Sequence, residues 1–167
     1  YEDALSLTDQ LLLQSPLSQP ILEQKSQVLS ILGRHEESGQ ICMGILQSDE
    51  TNVSVLYQLG KTHLILNNYD KAIDYFDHAL KNKPHDSEII YKKSLAFFSQ
   101  QKYDLSVLCL EQISDTDDLY DFAQYQKSKI QMLQGNTRQS LEILSKIIKS
   151  NDLFKLMASN ETIFESM

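Results

Sequence analysis

The sequence predicts an all-α protein of helix–turn–helix units stacked in tandem as a solenoid, and three observations lead there. The first is an internal period. Tyr57, Tyr91 and Tyr125 fall 34 residues apart, Lys-Ser recurs at 25–26, 93–94 and 127–128, and Gly33 and Gly135 lie three such intervals apart. Pro16 and Pro84 share a register, as do Tyr1, Tyr69 and Tyr103, and Ala4 and Ala72. Self-similarity at such a spacing marks a repeat architecture. The second observation is that each interval holds two stretches of helical apolar periodicity around a short polar break, with no strand-like alternation. The third is the break itself, which carries Gly33, Asn67 and Gly135 at one position. Gly and Asn accept the left-handed conformation that ends a helix. Gln101 at the same position predicts a less favourable turn there.

This register divides one repeat domain, 1–167, into a half unit 1–18, full units 19–52, 53–86, 87–120 and 121–154, and a C-terminal capping segment 155–167. Ten helices are expected, two in each full unit and one at either end. Ser18, Asn52 and Asp86 precede first helices, where a side-chain oxygen caps free backbone N–H groups. Glu2, Glu36, Asp70 and Asp104 fall in the first turn of second helices, facing the positive end of the helix dipole, and Arg138 breaks that pattern. Tyr1–Ala4 aligns with a second helix, so the sequence reads as opening inside a repeat, part of a longer protein. Leu153–Met157 begins a new first helix, and the residues after it are too few for a partner helix. This last segment is expected to cover the final apolar face.

The unit 53–86 carries Leu56, Leu59, Gly60, Ala72, Phe76, Ala79 and Pro84 at spacings that resemble the tetratricopeptide repeat, with His63 in place of that family's first-helix aromatic. The other units are degenerate but in register. Ser26, Ser94 and Ser128 take the place of Gly60, Ser38, Ser106 and Ser140 that of Ala72, and Cys42, Leu110 and Leu144 that of Phe76. The resemblance spans 1–154 and implies a right-handed α–α superhelix (solenoid) of antiparallel helix pairs. It says little about function, because one fold hosts many roles.

Composition narrows the partners. Hydrophobic residues at 41% and charged residues at 23% suit a globular protein. No apolar run approaches the roughly 18 residues of a membrane helix. The net charge of −8 argues against nucleic acid and anionic membrane, both of which reward clustered Lys and Arg. Cys42 and Cys109 have no metal-site or redox-motif spacing and read as small buried hydrophobes in a reducing, cytoplasmic compartment.

No catalytic constellation emerges: nucleotide-binding glycine loops, a nucleophile elbow and the zinc-protease motif are all missing. His35, His63, His78 and His85 lack metal-ligand spacing. The acidic run Asp115, Asp117, Asp118 and Asp121 has Tyr120 where a calcium loop needs Gly and Gln126 where it needs Glu, so it reads as a turn with helix caps. Asp70, Asp74 and Asp77 read as a solvated helix face. No cofactor or metal is expected, and the chain is read as non-catalytic.

The resemblance implies a concave groove lined by first helices. Its residues here are Tyr57, Lys61, Leu64, Tyr91, Leu95, Phe98, Tyr125, Lys129 and Met132, with Glu23 and Gln27 at the matching places of the first full unit. Tyrosine offers large contact area and a hydroxyl at small entropic cost, which suits peptide recognition. The expected function is a protein–protein interaction scaffold that binds a partner peptide or helix bearing apolar and acidic residues. The tyrosines would serve equally well as packing between repeats, so burial has to decide between the two. A docking or regulatory region of a larger enzyme and a self-association module remain as alternatives.

Overall fold

The structure, a computed structural model, describes residues 1–164 of the 167. Its helices are α1 Glu2–Gln14, α2 Gln19–Ile31, α3 His35–Leu46, α4 Val53–Ile65, α5 Tyr69–Asn82, α6 Ser87–Ser99, α7 Tyr103–Leu110, α8 Tyr120–Leu133, α9 Thr137–Ser150 and α10 Asp152–Ser159, followed by a 3₁₀ turn at Thr162–Phe164. No strand occurs among the described residues, so the chain is all-α with the ten expected helices. Residues 165–167 of the expected capping segment lie outside the described residues. The helices gather into two compact groups, Tyr1–Lys92 and the residues from Lys93 onward, the division falling inside α6.

Helix pairs form because their turns are built alike. Gly33, Asn67, Gln101 and Gly135 all have positive φ, at 78°, 58°, 60° and 80°. In each turn the N–H of the left-handed residue bonds three residues back and the next N–H bonds five back, as in Gly33 to Ser30 and Arg34 to Leu29, or Gln101 to Phe98 and Lys102 to Phe97. These bonds satisfy carbonyls that the end of a helix leaves open. Gln101 thus keeps the common geometry and bears its steric cost, about 1–2 kcal/mol for a residue with a Cβ.

Helix starts follow the expected caps in two cases of three. Asn52 Oδ1 accepts from the Val55 N–H at 3.0 Å, and Asp86 Oδ1 accepts from Ile89 at 3.1 Å. Ser18 stands at the N-cap of α2 but makes no side-chain cap bond; Pro20, early in that helix, brings no N–H to be capped. A second departure lies in the unit 87–120, whose second helix, α7, has 8 residues where the other second helices have 12 to 14. The Ser114–Asp117 run stops it. Ser114 Oγ accepts from the Thr116 N–H and Asp117 Oδ1 from the Leu119 N–H, so side chains take the backbone donors that a continuing helix would use.

In the first group, α4 and α5 meet over Gly60, Ala72, Phe76 and Ala79, all buried. A Cβ at Gly60 would overlap the Phe76 ring, so glycine is what admits the aromatic. Between α3 and α4 lies a core of Cys42, Ile45, Val55 and Leu59, with Tyr75 and Leu22 packed on it. In the second group, Tyr125, Leu144, Ile147, Phe154 and Phe164 form one core from α8, α9, α10 and the final turn. Units without Gly60 and Ala72 join their helices by hydrogen bonds instead. Ser38 donates to the Ser26 carbonyl at 2.7 Å, Ser106 to Ser94 at 2.9 Å and Ser140 to Ser128 at 2.8 Å.

Candidate functional site

The α4 face is set by helical spacing, which stacks Tyr57 and Lys61 one turn apart. The Lys61 ammonium sits 4.5 Å from the Tyr57 ring centroid, and the Tyr57 hydroxyl donates to Glu88 Oε1 at 2.5 Å. The ring also leans on Phe76, with centroids 6.1 Å apart, so its orientation is held from below by the core. Burial and then the bond to Glu88 raise the Tyr57 phenol above its ordinary value. Burial lowers the Lys61 ammonium, partly opposed by the Glu88 charge. Among the described residues Lys61 has no carboxylate within ion-pairing distance. It is a half-desolvated cation on an aromatic ring. Leu64 lies half-buried on the same helix. Tyr91 on α6 is half-buried as well, and burial raises its phenol. At the position matching Tyr57, Glu23 accepts from Asn52 Nδ2 at 2.8 Å, which ties it to the next helix start.

The same pair of positions on α8 holds Tyr125 and Lys129, and their surroundings differ. Tyr125 is only 3% exposed, covered by Phe154 and Phe164 with ring centroids 5.8 and 6.0 Å away. This departs from the expectation of a groove residue open to a partner, because a later segment of the chain returns over α8. Lys129 forms an ion pair with Glu161 at 2.8 Å and stands 5.8 Å from the Phe98 ring and 6.0 Å from that of Tyr125. Met132 packs against the Tyr125 core, and Leu95 is half-buried on α6. The sequence reading missed Glu88, Glu161 and Phe164. Glu88 has Ser54 and Phe122 at its equivalent positions, and the other two come after the last full repeat, so periodicity had no means of marking them.

A second concavity, about 500 Å³, opens between α3 and α4 and was not anticipated. Gly39 lines it at a position where other units carry Ile73, Val107 and Leu141, a contrast visible in the sequence. His35 Nδ1, Thr62 Oγ1 and His63 Nδ1 are buried near it without hydrogen-bond partners among the described residues. His63 stacks on Tyr75 with centroids 5.4 Å apart, so the histidine that replaces the usual aromatic still packs as a ring. Burial lowers its pKa, which favours the neutral imidazole. Among the described residues, no group of three His, Cys, Asp or Glu is placed to hold a metal ion. Both cysteines are buried.

These features define a helical-repeat protein whose first helices present aromatic–cation faces, and known proteins share its repeat and its fold. Residues 53–86 match the tetratricopeptide repeat model, so the family resemblance read from that unit is correct. Several solved structures share the fold. A MamA fragment from Desulfovibrio magneticus RS-1 matches with a TM-score of 0.80 and 16% identity, covering 89% of this chain and 84% of that one. TTC0263, a thermophilic TPR protein in Thermus thermophilus, gives 0.75 and 14% over 94% and 88%. YrrB, described as a TPR protein with an unusual peptide-binding site, gives 0.75 and 18% over 96% and 84%. A curated relative, the DnaJ homolog subfamily C member 3 homolog of Dictyostelium discoideum, is 29% identical over 93 residues. That match takes in 53% of this chain and 18% of the relative's length. No helix among the described residues is long and apolar enough to cross a membrane.

Proposed function

We propose that this chain is a non-catalytic protein-interaction scaffold that binds a partner peptide or helix on the exposed faces of its first helices. The observation that carries this reading is Lys61. A half-buried ammonium over the Tyr57 ring, with no ion pair among the described residues, is suited to a partner carboxylate flanked by apolar groups. Half-buried Leu64 and Tyr91 offer apolar area on the same group of helices. The description of YrrB as peptide-binding is in keeping with this, as is the acidic net charge, which disfavours nucleic acid.

The test is capture of a partner with the full chain, its purification, and titration against wild type, Lys61→Glu and Tyr91→Ala. Loss of a central anchor commonly costs about 2 kcal/mol, roughly thirtyfold in affinity. Both variants are expected to show a loss of at least that order with unchanged circular dichroism. Unaltered affinity in both would refute the reading.

A further inference from the structure

The α8 face already holds a segment of the chain itself. Glu161 Oε1 meets the Lys129 ammonium at 2.8 Å, and three residues later the Phe164 ring lies on Tyr125, 7% exposed. We infer that this face is a seat for a segment carrying a carboxylate three residues ahead of a phenylalanine, and that Glu161–Phe164 is its resident, displaceable occupant. The inference rests on the scaffold reading above and adds to it the chemistry of the partner.

Three features separate this contact from ordinary packing of a terminal helix. First, α10 supplies an aromatic cover of its own: Phe154, 1% exposed, packs edge-on against Phe122 at 5.2 Å and leans on Tyr125. The turn beyond it lays Ile163 and Phe164 on the same core and sets a carboxylate beside them at the Lys129 ammonium. Second, the resident touches the residues that the repeat pattern marks for partners, Tyr125 and Lys129, and the cation it neutralises is the counterpart of Lys61, which has no ion pair among the described residues. Third, the contact is small, one buried ring and one partly exposed ion pair. An ion pair with side chains 17% and 37% exposed holds register while adding at most a modest share of affinity. Asn160 joins the segment directly to α10, so the covalent connection adds to the buried ring and the ion pair in keeping it seated. A free segment of the same chemistry then binds poorly to the wild-type chain and well once the resident is weakened.

The experiment uses the full chain and a fluorescent peptide of residues 159–164, Ser-Asn-Glu-Thr-Ile-Phe. Glu161→Lys sets a second cation against Lys129, and Phe164→Ala removes the ring; either is expected to raise peptide affinity at least tenfold over wild type. Adding Lys129→Glu to either variant is expected to abolish that gain, as is replacing the peptide's Glu by Gln or its Phe by Ala. Circular dichroism identifies which variants remain folded, and Glu161→Gln stands in if both do not. Equal affinity in wild type and every folded released variant, or a gain indifferent to Lys129→Glu, overturns the inference. Binding lost with Lys61→Glu but retained with Lys129→Glu also overturns it, and leaves the scaffold reading standing.

Discussion

Where α4 meets α5, Gly60 lies beneath the Phe76 ring and Ala72 is buried; at the matching positions of α8 and α9, Ser128 and Leu144 are both buried and Ser140 donates to the Ser128 carbonyl. Each pair fills the same gap by a different division of volume. A glycine with a phenylalanine replaces a serine with a leucine, and an apolar joint replaces a hydrogen-bonded one. The outer faces differ in the same spirit. Tyr57 and Lys61 look out with Lys61 unpaired among the described residues, while Tyr125 and Lys129 are covered by Phe164 and Glu161. The repeat thus prescribes the size and polarity summed across a contact, and leaves single residues free to trade.

The largest effect is expected from Phe76→Ala. The ring is wholly buried, so its loss is expected to cost about 3–5 kcal/mol in denaturant unfolding. Gly60→Ser probes the same contact from α4. Forced against the ring, the serine is expected to cost about 1–3 kcal/mol, and Phe76→Leu, which recreates the α8–α9 combination, is expected to recover part of that loss. A double-mutant cycle with no coupling would show that the two positions do not share one volume.

Smaller effects are expected at the turns and the buried serines. Gln101→Gly relieves a left-handed residue with a Cβ and is expected to stabilise by about 1 kcal/mol, offset in part by the added freedom of the unfolded chain. Ser140→Ala removes the hydroxyl that joins α9 to α8 and is expected to cost about 1 kcal/mol, whereas α5 already carries Ala72 at that position.

The smallest expected effect is in alkaline solution. Tyr57 holds its proton in the folded chain above its ordinary value near 10, so its contribution is complete below that pH and is lost as pH rises past it. Lys61 is shifted down and acts oppositely, adding stability as pH climbs toward its ordinary value of 10.5. Tyr57→Phe should flatten the alkaline decline in urea midpoint, and Lys61→Met should steepen it. Identical curves for all three chains would mean that the face is open to solvent.

Much of the fold was legible because it rests on local rules. The turn position, the acidic first turns and two of three caps follow from residues acting on neighbouring backbone, and a period repeats those instructions in register. The short α7 was missed although Ser114–Asp117 held the signal, since side chains that compete for backbone donors end a helix whose apolar pattern runs on. The candidate site was legible only as a set of equivalent positions. Tyr57 and Tyr125 are the same residue at the same place in the repeat, yet one is half-buried and the other covered.

The helices, most of their ends and their pairing follow from local residues, because capping, periodicity and side-chain volume act over a few residues and recur every 34. Tertiary structure alone decided which aromatic–cation pair stays open. Glu161 lies 32 residues from Lys129 in the chain and outside any repeat, and only the return of the backbone over α8 brings its charge within 2.8 Å.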